Sequence, residues 1–343
     1  MNTPLRIEIT EKAQTQISVA SAWWTENRPG ASDAIREELD RILGLLRVQP
    51  EIGTIARRLT LSGVRRVTLS RIRPNSNVDG DRVNANMATI AIGDIHGNIA
   101  ALEDVLDQVT NHLTPNDAIV FLGDYIDRGP STKACIDRIL ALRSCSDATV
   151  VTLLGNHEDW LMRTLRDPTR HSWLLGMEAF VTISSYSPAA AVELRRAAEE
   201  AGPALLTART ALPYDAFFSC VPKTHLDFLE GLVPYHRTSE AIYVHGGLNP
   251  RVPRLEDQPV AACVWGTDDF LEVYDGEELV VYGHWGNAVV DADEWPRPRI
   301  GRRSIGIDTI KHGVLTALRL PDGRIFQSRR HRNHESPSNT ACT

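Results

Sequence analysis

Five apolar segments of strand length recur from Ala88 onward, and each ends at a short polar motif. They are Thr89–Ile92, Ala118–Leu122, Val150–Leu154, Ile242–Val244 and Leu279–Tyr282. Continuous apolar segments of this length are typical of strands buried on both faces. Between the first three, apolar stripes at helical spacing cover Ile99–Val109 and Cys135–Leu140. Alternation of strand and helix predicts an α/β fold with a layered sheet.

The residues that follow these segments are of types that bind metal ions. They are Asp94, His96, Asp124, Asn156, His245 and His284. In an open α/β sheet, loops at the carboxyl ends of neighbouring strands meet and form the ligand site. The glycines Gly93, Gly123 and Gly155 allow the backbone to turn sharply there. Two carboxylates, three imidazoles and one amide exceed the needs of one ion, so the sequence predicts two metals.

Two further regions complete the predicted α/β part of the chain. A helical insertion is predicted over 160–235, with Ala189–Ala201 and His225–Leu232 as helices. Closing strands are predicted over Ser304–Ile307, Val314–Leu320 and Arg324–Gln327. Pro321-Asp322-Gly323 supplies turn residues between the last two strands. The polar tail, 328–343, is expected to be disordered.

Three glycine-led motifs carry a family resemblance. GDIHG begins at Gly93, GDYIDRG at Gly123 and GNHE at Gly155. In this order and spacing they resemble the phosphoprotein phosphatase family of the calcineurin-like metallophosphoesterases, over about residues 89–327. The resemblance implies a four-layer α/β/β/α sandwich spanning residues 88–327.

The resemblance also implies a division of the ligands between two metals. Asp94 and His96 would hold one metal, and Asp124 would bridge both. Asn156, His245 and His284 would hold the other metal. Mixed nitrogen and oxygen ligands suit Mn, Fe or Zn better than Mg, so two divalent ions, Mn first, are expected.

A two-metal hydrolase activates water for in-line attack on phosphorus, so the expected nucleophile is a metal-bridging hydroxide. By the resemblance, His157 would protonate the leaving alkoxide, and Asp127 would orient its imidazole. Arg128 would bind two phosphoryl oxygens through its planar guanidinium. Substrate contacts are therefore expected at Arg128, Asn156 and His157. Glu158 and Asp159 are interpreted as complements of a helix dipole.

The sequence departs from the family pattern in two places. Bacterial relatives often carry a second phosphate-binding arginine after a tryptophan, whereas this chain has Trp265-Gly266-Thr267. Arg251 or Arg254 is a candidate replacement. The ligand His284 is followed by the bulky Trp285, which is expected to alter substrate choice. Trp265 and Trp285 fit either a substrate cleft or ordinary packing.

A polar, turn-rich stretch over 75–87 predicts a linker that separates the first 74 residues. The pattern before it predicts a small β-α-α-β unit of α+β type. Its elements are Ile7–Ile9, Gln14–Glu26, Ala31–Arg47 and Val64–Ile72.

This N-terminal block resembles the RelE/ParE toxin family. The resembling features are Trp23-Trp24, Glu26–Pro29, Gln49–Gly53 and Gly63–Leu69. The family continues with further strands, whereas here the linker follows. A truncated, inactive remnant or a module that docks a protein partner is therefore expected rather than an active toxin.

Composition excludes several classes of protein. A net charge of −7 is opposite to the basic footprint of a general nucleic-acid binder. Five scattered cysteines without a CxxC pair predict neither disulfides nor a cysteine zinc site, which fits the cytoplasm. No apolar segment reaches the length of a membrane span. Five other histidines lack motif contexts and are interpreted as structural: His112, His171, His225, His236 and His312.

Three functions compete at this point. The first is hydrolysis of phosphate monoesters, with phosphoserine and phosphothreonine in proteins as the substrates implied by the resemblance. The second is a symmetrical dinucleoside tetraphosphate hydrolase, which shares the motifs. The third is an interaction protein whose phosphatase fold is vestigial. The complete set of ligand types favours an enzyme that acts on a phosphoprotein or a small phosphoester.

Overall fold

The computed structural model describes residues 54–55, 65–66, 87–286, 288–290 and 295–331. The chain divides into two compact units, Met1–Val83 and Asn84–Thr343. In the first unit, β1 (Thr54–Ile55) pairs antiparallel with β2 (Arg65–Arg66). β2 lies within the strand predicted over 64–72. The predicted N-terminal helices and residues 75–86 of the predicted linker lie outside the described residues, so the toxin-like domain stays a prediction.

Strands and helices alternate through the second unit. Its strands are β3 (Thr89–Ile92), β4 (Ala118–Phe121), β5 (Thr149–Thr152), β6 (Tyr235–Arg237), β7 (Ile242–Val244), β8 (Val280–Tyr282), β9 (Val289–Val290), β10 (Pro296–Arg297), β11 (Arg299–Ile300), β12 (Ser304–Gly306), β13 (Thr316–Leu320) and β14 (Arg324–Gln327). Its α-helices are α1 (Ile99–Thr110), α2 (Thr132–Cys145), α3 (Asn156–Arg166), α4 (Ser172–Gly176), α5 (Ala179–Tyr186), α6 (Pro188–Ala201), α7 (Ala204–Thr207), α8 (Asp215–Phe218), α9 (Lys223–Glu230), α10 (Val260–Trp265) and α11 (Phe270–Val273).

Two five-stranded sheets form the centre of this unit. The first has the order β14-β13-β3-β4-β5, in which β3, β4 and β5 run parallel. The second has the order β11-β12-β8-β7-β6, in which β12, β8 and β7 run parallel. The parallel strands are the predicted ones, so their carboxyl ends carry the predicted motifs.

Alternate residues of the strands face different layers. On the first sheet, Ile92 and Phe121 pack into the core shared with the helices. Val120 points the other way and packs with Tyr243 and Val281 of the second sheet. The outer face of the second sheet packs in turn against α11 through Phe270. The observed order of layers is helix, sheet, sheet, helix, as predicted.

Helices α3 to α9 form the insertion between β5 and β6. They include the helices predicted over 189–201 and 225–232. Helix α3 begins at Asn156, directly after Gly155, so the GNHE motif forms its first turn. No described helix is both long and apolar enough to cross a bilayer.

The structure corrects the predicted start of the tail. Ser328 is buried, and its backbone N–H donates to the carbonyl of Leu315 at 2.9 Å. Arg329 forms an ion pair with Asp104 of α1, and Nε2 of His331 lies 2.8 Å from Oδ2 of the same carboxylate. The polar composition of this segment predicted disorder, but its first polar residues form hydrogen bonds with the α/β domain. Residues 332–343 lie outside the described residues.

The packing between the sheets should carry much of the stability of this unit. Leu318 is 2 % exposed between the sheets, whereas Leu206 on α7 is 80 % exposed. We expect Leu318→Ala to lower the free energy of unfolding by about 2–5 kcal/mol, because it leaves a cavity in a closed core. Leu206→Ala should change it by less than about 0.5 kcal/mol. Denaturant unfolding of both variants is the measurement, and equal effects would contradict the layer arrangement.

Candidate dinuclear metal site

The six predicted ligands follow the carboxyl ends of β3, β4, β5, β7 and β8. Five of them are buried, and His284 is half-buried. Several site residues that are not glycine have positive φ angles: His96 (45°), Asp124 (52°), Asp127 (66°), Arg128 (61°) and His284 (66°). Such conformations are uncommon for residues with a side chain and cluster at functional sites. The strand ends thus hold these side chains in a strained but defined arrangement.

Asp124 lies at the centre of the site. Its Oδ2 is 3.5 Å from His96 Nε2 and 3.7 Å from His157 Nε2. Its Oδ1 is 3.3 Å from His245 Nε2. Asp124 belongs to two compact groups of metal-ligand atoms, one with His96 and His157 and one with His245 and His284. Its carboxylate therefore stands where a bridging ligand is predicted.

Backbone carbonyls orient two of the histidines. Nδ1 of His96 lies 2.9 Å from the carbonyl of Ile126, and Nδ1 of His245 lies 2.9 Å from the carbonyl of Leu122. Each Nδ1–H donates to its carbonyl, so Nε2 of each ring faces Asp124. Metal-binding histidines are commonly held by such outer hydrogen bonds.

The surroundings of Asn156 test whether a cation fits. Its Oδ1 is 2.9 Å from His245 Nε2 and 3.0 Å from His284 Nδ1. With the amide in this orientation, acceptor atoms face one another, which a cation between them would satisfy. Rotating the amide instead makes its NH₂ donate to both histidines and to Asp124. In both arrangements, acceptor atoms of the neighbouring side chains point at one position, which suits a positively charged occupant.

The electrostatics of the site also fit a cation. Burial lowers the pKa of His96 to about 3 and that of His284 to about 4, so both imidazoles are neutral at pH 7. Burial and the charge of Asp308 raise the pKa of Asp94 well above its usual range. Burial opposes protonation of His245, but carboxylates led by Asp124 raise its pKa to about 10. Metal ions displace such protons when they bind.

Asp94 contacts a different partner from the other ligands. Its carboxylate accepts the backbone N–H of His284, at 3.0 Å to Oδ2 and 3.2 Å to Oδ1. This contact ties the loop after β3 to the loop after β8. The aspartate thus joins the two sheets at the site.

His157 and Asp127 form a buried pair at the edge of the cluster. Nδ1 of His157 lies 2.8 Å from Asp127 Oδ2, and both side chains are almost fully buried. Nε2 of His157 has no hydrogen-bond partner. Burial opposes protonation of His157, but the charges of Asp124 and Asp127 outweigh it, and its pKa is raised. The ring thus has one nitrogen held by Asp127 and one that makes no hydrogen bond.

Among the residues of the three glycine-led motifs, Arg128 is the one with an exposed side chain. Its Nη1 donates to Nε2 of His96 at 2.9 Å. The guanidinium therefore sits at the solvent side of the metal ligands, within reach of an anion bound there.

The sequence of this domain matches the family model for calcineurin-like phosphoesterases over residues 87–288. That span is more than half of the chain and holds all six predicted ligands. The chain belongs to this family.

Curated relatives of this phosphoesterase act on different substrates. A symmetrical bis(5'-nucleosyl)-tetraphosphatase of Chromohalobacter salexigens is 26% identical over 284 residues, covering 69% of this chain and 96% of that protein. The zinc-dependent endopolyphosphatase of Saccharomyces cerevisiae is 29% identical over 26% of each protein. The catalytic subunit of serine/threonine-protein phosphatase 6 of Drosophila melanogaster is 35% identical over 19% of this chain and 21% of that protein. The chain thus spans about a quarter or less of these last two relatives.

Solved structures resemble this phosphoesterase at low sequence identity. A crystal structure provisionally called a diadenosine tetraphosphatase has 20% identity and a TM-score of 0.47, covering 71% of this chain and 94% of the other. A metallophosphoesterase from Sphaerobacter thermophilus has 18% identity and a TM-score of 0.38, covering 71% and 89%.

Glu158 has a role that the sequence interpretation missed. It is fully buried and accepts three backbone N–H groups of the GDYIDRG loop, from Asp124 (3.0 Å), Tyr125 (2.9 Å) and Ile126 (3.2 Å). Burial and the charge of Asp124 raise the pKa of Glu158 to about 7. Glu158 lies in the first turn of α3, as the helix-dipole interpretation requires, and it additionally fixes the loop that carries Asp124. Three successive N–H groups after a strand require an acceptor, and that requirement was the available signal.

Asp308 was also missed by the sequence interpretation. It follows β12, which is parallel to β8, so it lies at the same edge as the predicted ligands. Its side chain is buried, Oδ2 accepts the N–H of Gly286 at 2.6 Å, and Oδ1 has no hydrogen-bond partner. Burial raises the pKa of Asp308. An apolar strand that ends in Asp was the available signal, but no glycine motif marked it.

The remaining candidates pack away from the ligands or beside them. Trp265 donates to Asp159 Oδ2 at 3.0 Å and lies 4.7 Å from the ring of Trp160. Trp285 donates to the carbonyl of Gly246 at 2.6 Å. Both rings are half-buried and contact the ring of His284. These contacts are compatible with both predicted roles, packing and lining of a substrate cleft. The arginines proposed as replacements are exposed and pair with acidic neighbours, Arg251 with Asp269 and Arg254 with Asp257.

Two of the other histidines are buried in the helical insertion, as interpreted. His171 contacts the hydroxyl of Tyr214 and the carbonyl of Thr210. His225 contacts the hydroxyl of Tyr186 and Oδ1 of Asp137. Both rings are therefore satisfied by structural hydrogen bonds.

Glu158 should contribute to stability through the loop it holds. In Glu158→Gln one acceptor oxygen becomes an NH₂ that faces backbone N–H groups. We expect the free energy of unfolding to fall by about 1–3 kcal/mol, because a buried donor loses its partner. Asp159→Asn, at the next position, weakens a partly exposed pair with Arg163 and keeps an amide oxygen that can accept from Trp265, so it should cost less than about 1 kcal/mol. Equal losses in denaturant unfolding would refute the role given to Glu158.

Asp308 should support metal binding from outside the ligand set. Asp308→Asn removes a buried negative charge next to Asp94 and weakens the contact with Gly286. We expect the affinity for Mn²⁺ to fall by about 10–100-fold, the range typical of residues that support ligands. Calorimetric titration of metal-stripped protein measures the affinity, with the exposed Asp257→Asn as control. Unchanged affinity in Asp308→Asn would show that Asp308 only holds the loop.

Proposed function

We propose that the protein is a phosphatase that hydrolyses phosphate monoesters, with phosphoserine and phosphothreonine in proteins as its substrates. One observation carries the proposal: the His157–Asp127 pair lies against Asp124, which is shared by two groups of ligand atoms. A metal cluster beside a hydrogen-bonded histidine suits transfer of a phosphoryl group to water with protonation of the leaving group.

The proposed metal sites are supported by the two groups of ligand atoms that share Asp124, and the assignment of Asp94 rests on the motif resemblance. We assign Asp94 and His96 to one ion, with Asp124 as the bridge. Asn156, His245 and His284 are assigned to the other. When bound, the two ions activate water and neutralise phosphoryl charge. The mixed nitrogen and oxygen ligands favour Mn, Fe or Zn.

His157 is assigned the role of general acid. Its Nε2 would donate a proton to the leaving oxygen, while its Nδ1–H donates to Asp127 and keeps the ring in one orientation. The raised pKa of His157 favours the protonated form that an acid needs near neutral pH. Burial of the pair excludes water that would compete for the proton.

Arg128 is assigned to the phosphoryl oxygens. The guanidinium is exposed at the rim of the cluster and presents N–H groups in one plane. These N–H groups would hold the phosphoryl group against the predicted metal ligands.

A second candidate function is hydrolysis of symmetrical dinucleoside tetraphosphates. The observation that favours it is the extent of one alignment, because this chain matches 96% of the length of the tetraphosphatase of Chromohalobacter salexigens. The ligand types required for this reaction are the same. The two candidates differ in the group that the cleft must admit beyond the phosphate.

A substrate panel tests both candidates. Metal-stripped protein, with and without added Mn²⁺, is assayed on a phosphoserine peptide, a dinucleoside tetraphosphate and 4-nitrophenyl phosphate. We expect metal-dependent hydrolysis of the peptide and loss of activity with chelator. His157→Ala should lower kcat on the peptide by about 10²–10⁴-fold, because it removes the acid.

The exposed His112→Ala is the matched control and should keep full activity. Turnover of the dinucleotide alone would replace the first candidate by the second. Absence of metal-dependent activity on every substrate would refute both and favour a protein that only binds partners.

A further inference from the structure

The carboxylate of Asp127 is held by two side chains of the helical insertion. Trp173 of α4 donates its Nε1–H to Oδ2 at 2.9 Å. Thr182 of α5 donates its hydroxyl to Oδ1 at 2.6 Å. The hydroxyl oxygen of Thr182 also accepts the backbone N–H of Asp127 at 2.8 Å. One insertion thus holds both oxygens and the backbone of the residue that orients His157.

This network is closed to solvent. The exposed fractions are 0 % for Asp127, 0 % for Trp173, 1 % for Thr182 and 1 % for His157. Without water as a substitute, each donor is needed to compensate the buried carboxylate. The loss of one donor would let the carboxylate rotate, and its hydrogen bond to His157 would change in direction or length.

The backbone conformation of Asp127 also depends on Thr182. Asp127 has a φ of 66°, in the left-handed region that residues with a side chain rarely adopt. The contact between its N–H and Thr182 helps to hold that conformation. Oδ2 lies between Trp173 Nε1 and His157 Nδ1, so its position sets the direction of the imidazole. The free Nε2 is thereby kept 3.7 Å from Asp124 Oδ2.

We propose that Trp173 and Thr182 are positioning residues for acid catalysis, acting on His157 through Asp127. The inference rests on the proposed role of His157. It makes helices α4 and α5 part of the catalytic apparatus, whereas the sequence predicted only a helical insertion over 160–235.

Two variants remove the donors with little change in shape. Thr182→Val replaces the hydroxyl by a methyl group, and Trp173→Phe keeps an aromatic ring without the N–H. Thr182→Ser keeps the hydroxyl and should restore function. Thr164→Val is the matched control, because Thr164 is a buried threonine of α3 whose hydroxyl bonds the carbonyl of Arg170 instead.

The readout is the dependence of kcat on the leaving group. A nitrophenolate leaves with little protonation, whereas a phenolate without the nitro group requires more help from an acid. We expect Thr182→Val and Trp173→Phe to lower kcat about 10–100-fold on phenyl phosphate, part of what a positioned acid supplies. On 4-nitrophenyl phosphate the loss should stay within about threefold, with unchanged KM and metal content.

Controls separate this inference from the proposed function. If His157→Ala shows the leaving-group dependence and the two donor variants do not, the positioning role is wrong and the acid role stands. If His157→Ala shows no such dependence, the acid role itself fails, and the positioning role fails with it. Equal losses on both substrates, or a similar loss in Thr164→Val, would show that the donors serve stability only.

Discussion

The burial of Asp124 among histidines is the constraint on which the rest of the site depends. A carboxylate in a nearly dry interior is costly unless charges and donors surround it. Here imidazoles approach both of its oxygens, and Glu158 holds the N–H groups of the loop that carries it. Gly155 is required beside it, because a Cβ at that position would collide with the Asp124 side chain. Metal binding would convert this concentration of lone pairs from a cost into a source of stability.

The two sheets meet that constraint from opposite sides. The first sheet contributes the loops after β3, β4 and β5, and the second contributes the loops after β7, β8 and β12. Asp94 connects the two sets through the N–H of His284, and Asp308 ties two loops of the second sheet together through the N–H of Gly286. Packing between the sheets thus fixes the distances on which the ligand geometry depends, and fold stability and site geometry are linked.

Much of this arrangement could be predicted from the sequence. Apolar segments that end in glycine and a ligand type mark a strand and its site residue together, so the strands and the positions of the six ligands were accessible. Glu158, Asp308, Trp173 and Thr182 were not, because their partners are distant in sequence and arise only from the tertiary fold. The boundary at Ser328 was missed for the same reason, because the partner of Ser328 is Leu315 and that of Arg329 is Asp104, both distant in sequence.

The insertion joins two tasks that are separate in the sequence. Its helices α4 and α5 hold Asp127 through hydrogen bonds from Trp173 and Thr182. Its first helix, α3, carries Asn156 and His157 at the site. A change in the insertion that alters the cleft must therefore preserve the contacts of Trp173 and Thr182, or it disturbs the acid. Helices α6 to α8 include none of the residues that bond Asp127, but Phe217 of α8 packs against the ring of Trp173, with ring centroids 5.6 Å apart. The acid pair is thus held directly by α4 and α5, and α8 supports the indole that bonds Asp127.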